Sequence, residues 1–201
     1  MHPQLLAVGY DHSCHVVDGG VVECWGFGVL GAVGDGTFLN RSTPTVVNGL
    51  SGVVQLSAGG HHTCARTASG HVWCWGGNAG GAVWPGLGPS VGSPFMIPEV
   101  DDAIWVSAGL QNTCVVRSDG TVWCWGDLPV PGADGWDGGK QSSHPIARVP
   151  GIEHAIAVSV DLDFACALLE DSTVRCWGVD AWGRLGGGDA LGGGSLIPSR
   201  P

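Results

Sequence analysis

Short apolar runs recur along the chain, each followed by a glycine-containing turn and then two stretches in which apolar and polar positions alternate. Val53-Val54-Gln55-Leu56 leads into Cys64-Ala65-Arg66, and Ala103-Ile104-Trp105-Val106 leads into Cys114-Val115-Val116. An Asp-Gly or Ser-Gly pair comes next, and then a stretch ending in Cys-Trp-Gly. Alternation on both sides of such a pair predicts a β-hairpin. A long glycine-rich connection follows and ends in a proline-flanked segment: Thr43-Pro44-Thr45-Val46-Val47, Phe95-Met96-Ile97-Pro98 or His144-Pro145-Ile146-Ala147. Proline cannot donate to a ladder, so this last segment suits an outer edge strand.

Aligned on the cysteines, four segments fall into register. They hold Cys14 with Val22-Glu23-Cys24-Trp25-Gly26, Cys64 with Val72-Trp73-Cys74-Trp75-Gly76, Cys114 with Val122-Trp123-Cys124-Trp125-Gly126, and Cys166 with Val174-Arg175-Cys176-Trp177-Gly178. Each first cysteine lies ten positions before its partner, and the units begin 50, 50 and 52 residues apart. Three or four short strands in a unit of this size make a propeller blade. The expectation is one all-β repeat domain over residues 1–201, with repeats 1–50, 51–100, 101–150 and 151–201. It forms a β-propeller-like array of four blades, and closed ring or open arc stays undecided at this point. Repeat one lacks a preceding proline-flanked strand, whereas the tail Leu196-Ile197-Pro198 supplies a spare one that would complete the first blade of a closed ring.

The hairpin geometry makes a specific statement about the cysteines. In the first repeat the turn centres on Gly19, so Cys14 and Cys24 stand equally far from it on opposite strands. Directly opposed residues have Cα atoms about 4.5 to 5.5 Å apart, a span that a disulfide bridges. Equal arithmetic applies to Cys64 with Cys74, Cys114 with Cys124 and Cys166 with Cys176. Eight cysteines allow about a hundred pairings, and repeat symmetry selects this one. Each bridge closes a short loop worth at most about 2–3 kcal/mol. Such staples point to an oxidising compartment: extracellular, periplasmic or cell-surface. Zinc would call for short two-cysteine knuckles, which are missing, so no metal and no cofactor are expected.

At these residues the chain resembles the regulator of chromosome condensation repeat family, in its cysteine-paired form associated with bacterial secreted proteins. His12-Ser13 and His62-Thr63 match the first part of the family motif, Cys166-Ala167-Leu168 its apolar continuation, and Gly178-Val179-Asp180-Ala181-Trp182-Gly183-Arg184-Leu185-Gly186 its third part. Asn112 and Phe164 stand where the family has histidine, and repeat three has a rewritten connection, Leu128 to Trp136. The resemblance implies a propeller whose usual blade number is seven, so four blades leave room for a homodimer or for part of a larger propeller. It also implies protein partners, since family members include a guanine-nucleotide exchange factor, a secreted β-lactamase inhibitor and a plant photoreceptor.

Composition narrows the function further. A net charge of -10 with only 8 Lys+Arg argues against nucleic acid, whose backbone demands a basic patch. No run approaches the ~18 to 20 apolar residues of a membrane span, and no leader with a charged and then an apolar stretch is expected within these residues. Walker loops, nucleophile elbows and paired-carboxylate motifs are all missing, so the chain reads as a non-enzymatic protein–protein interaction module.

The candidate contacts are the turn residues ahead of each first cysteine: Tyr10 and Asp11, Gly60 and His61, Leu110 and Gln111, Leu162 and Asp163. Within one chain the framework there is held while these positions vary, as on the binding face of a repeat protein. Trp84 and Trp136, unrepeated aromatics in long connections, join the set. Trp25, Trp75, Trp125 and Trp177 recur at one position and read as packing between blades. Two alternatives remain: a hydrolase acting on glycans through Asp11 and Asp163, and guanine-nucleotide exchange by family analogy.

Overall fold

The computed structural model describes residues 4–130, 144–186 and 197–199. Among these residues sixteen strands form four antiparallel sheets, each meandering in chain order. Sheet one holds β1 (Leu6–Val8), β2 (His12–Val17), β3 (Val21–Gly26) and β4 (Arg41–Val46). Sheet two holds β5 (Val53–Ala58), β6 (His62–Thr67), β7 (Val72–Gly77) and β8 (Ser90–Met96). Sheet three holds β9 (Ala103–Ala108), β10 (Asn112–Arg117), β11 (Val122–Gly126) and β12 (His144–Arg148). Sheet four holds β13 (Ala155–Val160), β14 (Phe164–Leu169), β15 (Val174–Gly178) and β16 (Ile197–Ser199).

The proline-bearing segments are outer strands. The tail is an exception to expectation: β16 pairs with β15, so it completes the fourth blade and not the first. Sheet one instead has its own four strands, with β1 built from the apolar run just ahead of the first turn.

The central hairpins close through left-handed residues at Gly19 (φ 77°), Gly70 (φ 87°) and Gly120 (φ 76°). Ser172 takes the same conformation in sheet four (φ 68°), helped by Asp171, which accepts bonds from the Thr173 amide (2.9 Å) and hydroxyl (2.6 Å). Equal strand lengths then place each cysteine directly opposite its partner, and all four pairs are disulfide-bonded. Their Cα separations are 4.1 Å in the first three blades and 4.0 Å in the fourth, shorter than the expected span and nearer the narrow class of antiparallel pair.

The core lies between sheets. One side of each of the first three sheets carries the disulfide, and the next sheet covers it with the tryptophan of its Cys-Trp-Gly triplet. Cys14 and Cys24 pack in one cluster with Leu56, Ala65 and Trp75; Cys64 and Cys74 pack with Val106, Val115 and Trp125; Cys114 and Cys124 pack with Val158, Ala165 and Trp177. Trp75 donates its indole N–H to the Ala32 carbonyl of the preceding blade (2.9 Å), and Trp125 repeats the bond to Ala82 (3.0 Å). Three of the four repeated tryptophans are thus fully buried, whereas Trp25 is only half-buried, its side of sheet one meeting no other sheet among the described residues.

Inner strands are also stitched by side chains. Gln55 bonds both backbone groups of Val106 (3.0 and 3.2 Å), and Ser57 accepts from the Ala108 amide (2.9 Å). One blade later Trp105 donates to the Val158 carbonyl (2.9 Å) and Ser107 accepts from the Val160 amide (3.2 Å). Each stitch fixes the angle between neighbouring blades and so aligns their turns at one end of the array.

Candidate binding face

The turns ahead of the first cysteines run side by side. Tyr10 donates its amide to the Gly60 carbonyl (3.2 Å), and Gly60 donates its own to Gly109 (3.1 Å). The approach is so close that a Cβ on Gly59 would strike the carbonyl oxygen of Gly109, and one on Gly109 the carbonyl of Asp161. Glycine at these points is therefore what allows four turns to form one continuous row.

The triplet glycine brings a second segment to the row. Gly26, Gly76, Gly126 and Gly178 all have φ between 93° and 111°, and a Cβ on any would run into the carbonyl of the adjoining turn. The residue that follows then donates to that same carbonyl: Phe27 to Asp11 (2.7 Å), Gly77 to His61 (2.7 Å), Asp127 to Gln111 (2.8 Å) and Val179 to Asp163 (2.9 Å). The face thus has three variable positions per blade, two in the turn and one after the triplet glycine. Phe27, Asp127 and Val179 escaped the sequence reading, although the signal was there: the position after each Trp-Gly varies as freely as the turns do.

The row is not uniform. In blade one Tyr10 stands 68 % exposed and meets the His61 ring edge-on at 5.8 Å, while Asp11 lies 3.8 Å from His61 Nδ1. Gly60 is buried, so it lines the row as backbone, and Leu110 and Gln111 are half-buried. In blade four Leu162 is exposed, whereas Asp163 is held at 2.8 Å by Arg184, whose guanidinium also stacks on Phe164 (4.8 Å) and bonds the Val179 carbonyl (2.7 Å). Asp11 and Asp163 belong to the first and last turns, with two turns between them, so they do not form a carboxylate pair. Trp84 is not in the row; its half-buried ring packs at 5.8 Å on Trp125 between blades. Trp136 lies outside the described residues.

Beneath the row runs a chain of buried polar groups. His12 Nε2 meets the Thr63 hydroxyl at 2.7 Å, and His62 Nε2 meets the Thr113 hydroxyl at 3.0 Å. Thr113 donates its one proton to the Ala82 carbonyl (2.8 Å), so His62 must carry its proton on Nε2. Its Nδ1 is buried without a partner among the described residues. A second proton there would be an unsatisfied buried charge, and burial pushes the His62 pKa down to about 3 and that of His12 to about 4. Both histidines are therefore neutral structural bonds at neutral pH. Among the described residues no group of three or more His, Cys, Asp or Glu is placed to hold a metal ion.

Comparison with known proteins agrees with this architecture. The Regulator of chromosome condensation (RCC1) repeat matches at residues 53–81 and 106–127 in one form and at 20–66 in another. Among solved structures, human WBSCR16 superposes with a TM-score of 0.77 at 22% identity, over 96% of this chain and 52% of its own. Prp20p from Saccharomyces cerevisiae, characterised with its binding to Gsp1p and histones, gives 0.76 at 24% identity over 97% and 49%. Yeast RCC1 (Prp20) bound to Kap60 gives 0.75 at 20% identity over 97% and 47%. At such identities the likeness is one of fold, and the chain spans about half the length of these proteins. No curated protein sequence matches the chain.

Proposed function

Starting from a chain built of regulator of chromosome condensation repeats, we propose that it is a non-enzymatic, exported protein–protein interaction module that binds through the row of turns. The observation that carries this reading is the contrast within each blade. Glycines and a disulfide hold the backbone of the row, while the eight positions beside them differ from blade to blade in charge, size and aromaticity. A face already rigid before contact loses little conformational freedom on binding, so a few exposed side chains suffice for affinity. Export is supported by the four bridges, which persist in oxidising compartments. The protein partners of Prp20p favour a protein ligand over a small molecule.

The test is to cross-link the oxidised chain to proteins of its own extracellular environment and to measure saturable binding of the captured partner. Replacing Asp11, Gln111 and Leu162 together by alanine should weaken binding at least about tenfold, the scale of hot-spot loss. Replacing Ser69 and Glu170, at the opposite end of the blades, should leave it unchanged. Binding that follows the second pair would refute the reading, as would glycan hydrolysis abolished by replacing Asp11 and Asp163.

A further inference from the structure

At the end of the blades opposite the row of turns, sheets two, three and four share one groove. In each, the central hairpin donates an amide to the connection that leads into the first strand: Ala68 to Gly52 (3.0 Å), Ser118 to Asp102 (2.9 Å) and Glu170 to His154 (2.9 Å). The residue just before the second cysteine, Trp73, Trp123 or Arg175, belongs to this groove. Sheet three fills it from within. Arg117 lays its guanidinium over the Trp123 ring at 5.8 Å and donates from Nε to Asp102 (2.7 Å). The Trp123 indole N–H goes to the Thr121 hydroxyl (3.0 Å).

Sheet two keeps the indole and drops the ion pair. Thr67 stands in the place of Arg117, and Gly52 in that of Asp102. What remains is a cavity of 460 Å³ lined by Trp73, Met96, Thr67, Ser69 and His71, among others. That volume falls in the range of about 300–1,000 Å³ typical of ligand pockets. No Asp, Glu, Lys or Arg lines it. The corresponding cavity of sheet four carries Glu153, Glu170, Asp171 and Arg175, so neutrality is particular to sheet two. Trp73 is half-buried, packed in part on the core between sheets one and two and opposite Met96 in register. Its indole N–H has no partner among the described residues, unlike that of Trp123. Beside it the Thr67 and Ser69 hydroxyls lie 2.9 Å apart, and Ser69 Oγ lies 3.0 Å from His71 Nδ1. His71 Nε2 is left without a partner among the described residues.

This lining selects its ligand by elimination. A cation would lack the carboxylate that Arg117 has, and an anion would meet no cation, so either would be desolvated unpaired. A wholly apolar group would strand the indole N–H and the imidazole. A neutral ring with a C–H face and a rim of hydroxyls meets both demands. The negative face of the indole attracts polarised C–H bonds, and hydroxyls both donate and accept. We propose that this cavity binds a neutral pyranose, stacked on Trp73 and bonded through its hydroxyls to Ser69, to His71 Nε2 and to the Trp73 N–H. The site shares no residue with the row of turns, so either reading can fail alone.

The test is a titration of the oxidised, nitrogen-15-labelled chain with methyl glucoside, methyl galactoside, methyl N-acetylglucosaminide and the matching disaccharides. The Trp73 indole signal is identified by its loss in Trp73→Phe, and concentrations up to about 20 mM populate a contact of millimolar Kd. At least one sugar should shift the Trp73 and His71 signals saturably. Trp73→Ala, followed through His71, should weaken binding at least about tenfold. Thr67→Arg, which lays a guanidinium over the indole as in sheet three, should abolish it. Ser69→Ala, at an exposed position that leaves the fold intact, should weaken it without changing partner binding on the row. Tighter binding of the disaccharides places the pyranose within a glycan chain, and equal binding makes it a free sugar; both support the proposal. It is overturned if no sugar moves the Trp73 signal, if the shift survives both Trp73→Phe at His71 and Ser69→Ala unweakened, or if arginine amide binds there more tightly than every sugar.

Discussion

The interface between sheets two and three and that between sheets three and four share one plan and differ at one end. Both keep the disulfide facing a buried tryptophan, and both keep the inner-strand stitches, Gln55 and Ser57 in one and Trp105 and Ser107 in the other. At the turn end they part. His62 reaches the hydroxyl of Thr113, whereas the equivalent Asn112 faces Ala165, which has no hydroxyl, and its amide donates instead to the carbonyls of Asp127 (3.1 Å) and Leu162 (2.9 Å). The imidazole and the hydroxyl are replaced together. What the repeat preserves is satisfaction of the donor, not the identity of either residue.

The largest expected consequence is in acid. His12 and His62 belong to the first two interfaces, and the third has no titratable group in that place. Their folded pKa values, about 4 and about 3, lie below the ordinary 6.5, so the unfolded chain binds more protons between those limits. Stability is therefore complete above pH 6.5 and falls as the pH drops toward 4, by up to about 1.4 kcal/mol per pH unit for each histidine. The upper part of this window lies above the carboxylate range, so denaturant titrations of the oxidised chain at pH 7 and about pH 5.5 isolate the histidines. A pH-independent midpoint would contradict the buried, neutral assignment.

A smaller effect comes from breaking one relay at neutral pH. Thr113→Val keeps the shape but strands the His62 N–H, while the Ala82 carbonyl keeps its bond from the Trp125 indole, and the change should cost about 1–3 kcal/mol by equilibrium unfolding. The matching change at the third interface, Ala165→Val, removes no bond, so any loss there reflects crowding alone.

The comparison can be sharpened by transplanting the pair. Asn112→His alone places an imidazole opposite Ala165 with no acceptor, and it should destabilise. Adding Ala165→Thr should recover part of that loss, with a coupling of about 1 kcal/mol in a double-mutant cycle. Zero coupling would mean that the relay is set by the surrounding backbone and not by the two side chains.

Much of this architecture was legible in the residues, for identifiable reasons. Hairpins and bridges followed from counting, because a tight turn fixes which residues oppose each other. The row of turns was legible through Tyr10, His61, Gln111 and Leu162, since equivalent turns of a repeat lie at one end of its blades. Other features depend on where elements go in space. The tail strand looked spare, and its sheet was hidden because a proline-flanked segment states that it is an edge without stating whose. Trp84 looked like a loop aromatic until Trp125 proved to lie beneath it. Trp182 passed as a motif residue, and its exposure shows only once the fourth sheet is placed in space.

The cross-links have a consequence for how the molecule is made. Every cysteine meets its mate ten residues away, inside one ribbon, and no bridge ties one ribbon to another. For a polypeptide that emerges N-terminus first, the correct partner is always the first thiol to arrive, so oxidation can proceed unit by unit with no scrambled state to undo. Blades can then be added, lost or exchanged over evolution without rewiring a single covalent bond.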